Sequence, residues 1–144
     1  MFTYVLIRAV QLKMDEQFFS IYFFSFVSVC RPSLDLAFAI DGCGRMPFHM
    51  CTDFVKEVIR VSSFSKSNSR IGVIVYSRKA KLLFGFNYFK NVEDLFGALD
   101  RIRFTSKQLG KPENIGAALS KAHDTLFSRS RAGILKVFYS HYWG

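Results

Sequence analysis

The sequence is short of cysteines, of acids and of uninterrupted apolar length, and each shortage excludes something. It has three cysteines, Cys30, Cys43 and Cys51, and an odd number leaves at least one thiol unpaired within the chain. No two form a CxxC pair, and His49, His123 and His141 lack zinc-ligand spacing from any of them, which argues against a structural zinc site. Acids number 11 against 20 Lys and Arg, for a net charge of +9. The bases are scattered over Arg70–Lys81, Arg101–Lys111 and Arg129–Lys136. Such scatter suits a solvated basic surface or an anionic partner, an acidic protein or a sulfated glycan. Aromatics are not interleaved with the charge and no nucleic-acid motif accompanies it, so nucleic acid is not an expected partner. The most apolar stretch, "FFSIYFFSFVSV" (Phe18–Val29), is about twelve residues long against the roughly 20 that span a bilayer, so no transmembrane span is expected. There is no N-x-[ST] sequon, internal repeat or low-complexity segment.

What is present suits one folded domain. The chain has 144 residues, 50% of them hydrophobic and 17% aromatic, enough for a real core. Residues 1–32 form an apolar N-terminal segment. Its run has the length of a secretory signal core with small residues before Cys30, but Asp15 and Glu16 stand where a signal carries positive charge. The alternative is a strand or helix packed on the domain. Residues 33–144 alternate strand-like and helix-like patterns, which points to an α/β fold with a mostly parallel sheet. Leu34–Ile40 is nearly continuous in apolar residues, as a doubly buried strand is. Cys51, Phe54, Val55, Val58 and Ile59 recur at helical spacing, with Asp53, Lys56, Glu57 and Arg60 on the other side. Ile71–Tyr76 and Ala80–Phe84 flank a short polar turn and read as an antiparallel pair. Asn91 reads as the N-cap of a helix that buries Val92, Leu95, Phe96, Leu99 and Ile102. A second stripe runs Ile115, Ala118, Leu119, Ala122, Leu126, and Ile134–Tyr139 reads as a fourth strand.

The place to look for a site is "LDLAFAIDGCGR", where a buried strand ends in Asp41 and a glycine-rich turn. Ligands of open α/β sheets sit at such carboxyl ends. A phosphate loop is disfavoured: the third glycine of a dinucleotide fingerprint would fall at Pro47, no GK[ST] follows, and an acid at the strand end repels phosphate. A nucleophile is disfavoured too, because nothing orients His49 as a base for Cys43. No catalytic residue is expected, and the chain is not read as an enzyme.

A set of stretches then carries a resemblance: "LDLAFAIDGCGR", "FVKEVIRVSS", "SRIGVIVYSRKAKLLFGFNYF", "NVEDLFGALDRIRF" and "ENIGAALSKAHDTLF". Together, from about Leu34 to Val137, they resemble a von Willebrand factor type A (vWA) domain of the kind found in collagens, matrilins and integrins. The resemblance implies a three-layer, doubly wound, mostly parallel sheet. It also implies a metal-ion-dependent adhesion site, in which an Asp-x-Ser-x-Ser loop, a threonine and a second aspartate hold a divalent cation. Matched position by position, Asp41 is kept. Cys43 and Arg45 replace the serines, Glu113 replaces the threonine, and the second aspartate falls near Trp143, where no acid exists. The site is therefore expected to be degenerate, with no metal and no cofactor. Asp41 and Glu113 alone would draw at most a weak magnesium or calcium ion. A thiol suits a hard cation poorly. Arg45 either donates to both carboxylates or points to solvent. The family's Cys30-type cysteine pairs with one beyond the last helix, and two further strands and a closing helix follow in the family, so the chain reads as an incomplete domain.

The expected function is a non-catalytic, protein-binding module of a secreted, extracellular matrix or adhesion protein, with collagen or other matrix components as partners. The alternative is an intracellular vWA domain serving as an assembly platform. The expected sheet order runs Ala80–Phe84, Ile71–Tyr76, Leu34–Ile40, Ile134–Tyr139, with the last strand's outer edge bare.

Overall fold

The computed structural model describes residues 4–8, 34–42, 48–61, 69–102, 114–129, 131 and 135–141. The apolar run Phe18–Val29 and Cys30, Cys43, Arg45 and Glu113 lie outside the described residues. Among the described residues, five strands and three α-helices follow in order: β1 (Tyr4–Arg8), β2 (Leu34–Asp41), α1 (Phe48–Val61), β3 (Arg70–Tyr76), β4 (Ala80–Phe84), α2 (Val92–Arg101), α3 (Ile115–Thr125) and β5 (Leu135–His141). The strands form one sheet in the order β1-β5-β2-β3-β4. All pairings are parallel except the β3–β4 hairpin.

Alternation along the strands builds three layers. Leu34, Leu36, Phe38 and Ile40 of β2 share a face with Ile71 and Val73 of β3, and α1 and α2 cover it with Cys51, Val55, Val58, Ile59, Leu95 and Leu99. Each such side chain removed from water contributes about 2 kcal/mol. The opposite face carries Ala37, Ala39, Ile74 and Tyr76, and α3 covers it with Ala118 and Ala122, together with Leu126 that caps the helix. Small residues let this helix sit close to the sheet. Gly72, which pairs with Ala37, faces Leu126 so tightly that an added Cβ would lie 2.7 Å from its Cδ atoms.

Three expectations are corrected. The edge of β5 is not bare: Tyr4–Arg8 pairs with Lys136–Ser140 in parallel, because a short apolar strand and an unpaired strand edge each supply the hydrogen bonds the other lacks. Ile115 and Leu119 do not belong to the buried stripe of α3; they are 37% and 39% exposed, since the close approach over alanines leaves only a narrow contact. Lys56 is not on the solvent face of α1. It is buried and bonds Asp100 of α2, with Asp53 at 3.6 Å on the same helix, so an ion pair ties the two helices together. Asn91 does cap α2, its Oδ1 accepting from the Asp94 N–H at 2.8 Å.

The amino edge of the sheet holds a buried ion cluster. Asp35 is fully buried. It accepts from Arg70 Nε at 2.9 Å and Nη2 at 2.6 Å, from Arg131 Nη2 at 2.9 Å and from the Arg131 backbone N–H at 3.2 Å. Burial by itself pushes its carboxyl up, but the hydrogen bonds from Arg70 and Arg131 outweigh that and hold it below the ordinary value of 3.8. The Arg70 guanidinium also lies 5.0 Å from the centre of the Phe86 ring.

Candidate functional site

The carboxyl edge of the sheet is knit from three separate pieces of chain. Asp41 ends β2, is 8% exposed, and sits opposite Tyr76 in register. Past it the Gly42 N–H donates to the Tyr76 carbonyl at 2.7 Å, which extends the ladder by one bond before the chain turns away. Beyond Tyr76, the fully buried Ser77 donates its N–H to the Lys79 carbonyl at 2.9 Å and accepts from the Asn114 N–H at 2.8 Å. Asn114 also caps α3, its Oδ1 accepting from the Ala117 N–H at 3.0 Å. The turn between β3 and β4 is therefore held to the start of α3, and Arg78 and Lys79 stand exposed on it.

Under this edge lies Cys51, buried on α1. Burial, with a smaller contribution from the Asp41 charge, pushes its thiol up to about 11. At neutral pH it is a packed thiol and not a nucleophile. Thr52 is buried as well, its hydroxyl donating to the His49 carbonyl at 2.9 Å. His49 and Met50 are exposed at the start of α1. Of the four expected site positions, the structure describes Asp41 alone. Glu113 immediately precedes Asn114, whose N–H is bonded to this edge.

Among the described residues no group of three or more His, Cys, Asp or Glu is placed to hold a metal ion. In the sequence, the expected site positions carry two carboxylates, Asp41 and Glu113, with the thiol of Cys43 and the guanidinium of Arg45. No helix among the described residues is long and apolar enough to cross a membrane.

The sequence pattern of the von Willebrand factor type A domain matches residues 35–139. The chain belongs to that family. This vWA domain is 30% identical over 105 residues to human vitrin, a match covering 71% of this chain and 15% of that protein. Mouse vitrin is 29% identical over 111 residues, 75% of this chain and 16% of the relative. The mouse collagen alpha-4(VI) chain is 34% identical over 90 residues, 60% of this chain and 4% of the collagen. The chain thus spans a small part of the length of each relative. Among solved structures, proximal thread matrix protein 1 of the mussel byssus superposes with a TM-score of 0.69 at 22% identity, over 78% of this chain and 30% of that one. A second structure of that protein, with a zinc-occupied metal-ion-dependent adhesion site, superposes with a TM-score of 0.63 at 18% identity, over 77% of this chain and 29% of that one. The likeness to the byssal protein shows the three-layer α/β fold.

Two features escaped the sequence reading. One is the bond between Asn114 and Ser77 that fixes the turn; only the hairpin itself was legible from its length. The other is Asp35, an acid inside an otherwise apolar strand, which had to be either paired or misplaced.

Proposed function

We propose that this vWA domain is a non-catalytic, protein-binding module of an extracellular matrix or cell-adhesion protein, and that it engages its partner without a bridging metal ion. The observation that carries this reading is the donor set at the carboxyl edge. Asp41 is buried where the family's first metal ligand stands, yet Cys43 and Arg45 follow it in place of hydroxyls. An arginine two residues beyond the thiol adds a permanent positive charge to the same loop sequence, which disfavours a cation there. The relatives, vitrin and a collagen VI chain, support a matrix setting, with collagen or another matrix component as partner. The high thiol value of Cys51 supports the absence of thiol chemistry.

Calorimetric titration with magnesium, calcium and manganese tests the metal half of the proposal, with no binding expected below millimolar concentration. Micromolar binding that disappears on Asp41→Ala refutes it. Immobilised collagen VI then tests the partner half: capture is expected to be equal in magnesium and in EDTA. Capture that EDTA abolishes would overturn metal independence.

A further inference from the structure

We infer that the partner is met by the Arg78–Lys79 turn and that it presents an acidic segment of a protein there. This deepens the metal-independent reading above and rests on it. Arg78 and Lys79 are adjacent, both exposed, and on a turn whose backbone is bonded to the start of another element at the carboxyl edge. The Ser77 carbonyl is fixed by Asn114 and the Ser77 N–H by the Lys79 carbonyl. Little backbone order is left to lose on binding, which removes a usual cost of association.

Among the described residues neither cation has an ion-pair partner. The described carboxylates in ion pairs have other partners: Asp35 holds Arg70 and Arg131, Asp53 and Asp100 hold Lys56, Glu57 holds Arg60, and Asp124 lies against His123. Asp41 is buried at the end of β2, beside this turn, so the exposed charge that the described residues offer there is the pair of cations. Arg78 supplies the planar fork that bonds a carboxylate through two N–H groups, and Lys79 supplies a second positive charge beside it.

The size of the patch favours a peptide over a glycan. Along β4 the next exposed cation is Lys81, after which Leu82, Leu83 and Phe84 are half-buried and uncharged. Among the described residues the row ends there, short for a sulfated polymer that needs charge along its length. Exposed Lys90 and Arg129 follow the far ends of β4 and α3, at the opposite edge of the sheet.

The test uses the full chain and a fluorescein-labelled decapeptide of alternating glutamate and glycine, read by polarisation at low salt in EDTA. The double variant R78E/K79E is expected to weaken binding about ten-fold, the loss for two exposed ion pairs made repulsive. K90E/R129E, with the same change in net charge at the opposite edge, is expected to change it less than about two-fold. Circular dichroism melts check that both variants fold, and R78Q/K79Q gives an intermediate loss that does not depend on repulsion. Equal losses in the two charge-reversed variants would overturn the inference, as would no binding by the unaltered chain. Loss of binding to a heparin decasaccharide in R78E/K79E with peptide binding intact would assign the turn to a glycan and overturn it too. If the peptide binds only when magnesium replaces EDTA, the metal-independent reading fails. If it binds in EDTA and ignores R78E/K79E, that reading stands and the assignment of the turn fails.

Discussion

Replacing Asp35 by asparagine removes the charge on which two half-buried guanidinium groups depend. The carboxylate is fully buried and accepts four hydrogen bonds, three from side-chain nitrogens and one from the Arg131 backbone. Breaking one partner out of a buried ion pair costs about 3–5 kcal/mol, because the remaining charge stays desolvated. Here the side chains of Arg70 and Arg131 keep 14% and 27% of their surface, so water relieves part of the penalty and the lower end, about 3 kcal/mol, is expected. For a domain whose whole stability is about 5–15 kcal/mol that is a large share. In urea, with a slope of about 2 kcal/mol/M, the midpoint falls by about 1.5 M while the slope stays unchanged. The same linkage sets a pH dependence. Asp35 titrates lower folded than unfolded, so its contribution is full above its ordinary value of 3.8 and is lost as pH falls through the depressed folded value. Between neutrality and about pH 5 the difference between wild type and Asp35→Asn should therefore be constant, narrowing only in stronger acid. Replacing all three side chains, Asp35→Leu with Arg70→Met and Arg131→Met, should recover most of the loss, less the cost of the Arg131 backbone N–H left without its acceptor. A midpoint shift under about 0.5 M for Asp35→Asn would show that the cluster is screened by solvent and refute the reasoning.

Gly72→Ala should destabilise by about 1–2 kcal/mol, since the new methyl would meet buried Leu126 at 2.7 Å; Leu126→Ala in the same chain should return part of that, and a neutral single variant would show that α3 shifts freely. With Cys30→Ser and Cys43→Ser leaving Cys51 alone, the native protein at pH 8 should resist a thiol reagent that labels it at once in denaturant, because its thiol titrates near about 11; labelling within seconds in the native state would contradict the burial. Leu6→Pro with Ile7→Pro should speed amide exchange in Leu135–His141 and leave Ile71–Tyr76 protected, because β1 pairs only with β5 in the sheet; unchanged exchange would remove β1 from the sheet.

How much was legible depended on whether a signal was local. Strands β2, β3 and β4 declared themselves through apolar runs and a short turn, and α2 through Asn91 and its stripe, because those cues lie within a few residues. Strand β1 did not: Tyr4–Arg8 is five residues without period or turn signal, and its partner lies at the other end of the sequence. Lys56 looked like a solvent-face lysine because Asp100, which makes it worth burying, sits on another helix. Asp35 was absorbed into an apolar reading, although its parity with Ala37 and Ala39 aims it at the face that α3 covers. At the candidate site, Asp41 was legible as an acid at a strand end. The tether from Asn114 to Ser77 was not, because a backbone hydrogen bond between distant residues leaves no mark on residue type.

The order β1-β5-β2 has a consequence for how the sheet is assembled. Tyr4 and Leu34 do not meet each other; they meet Lys136 and Leu135, which lie far along the chain. On a ribosome, β1 and the outer edge of β2 emerge with nothing to pair with, while β2, β3 and β4 already have their neighbours. Strand β5 must then enter between two edges that have been waiting for it, like the last stave driven into a cask. Pairing at such sequence separation is slow and leaves strand edges exposed meanwhile. A nascent chain paused before Leu135 would carry the hairpin and its helices as a half-built sheet, with two open edges for any chaperone, or any sticky neighbour, to find.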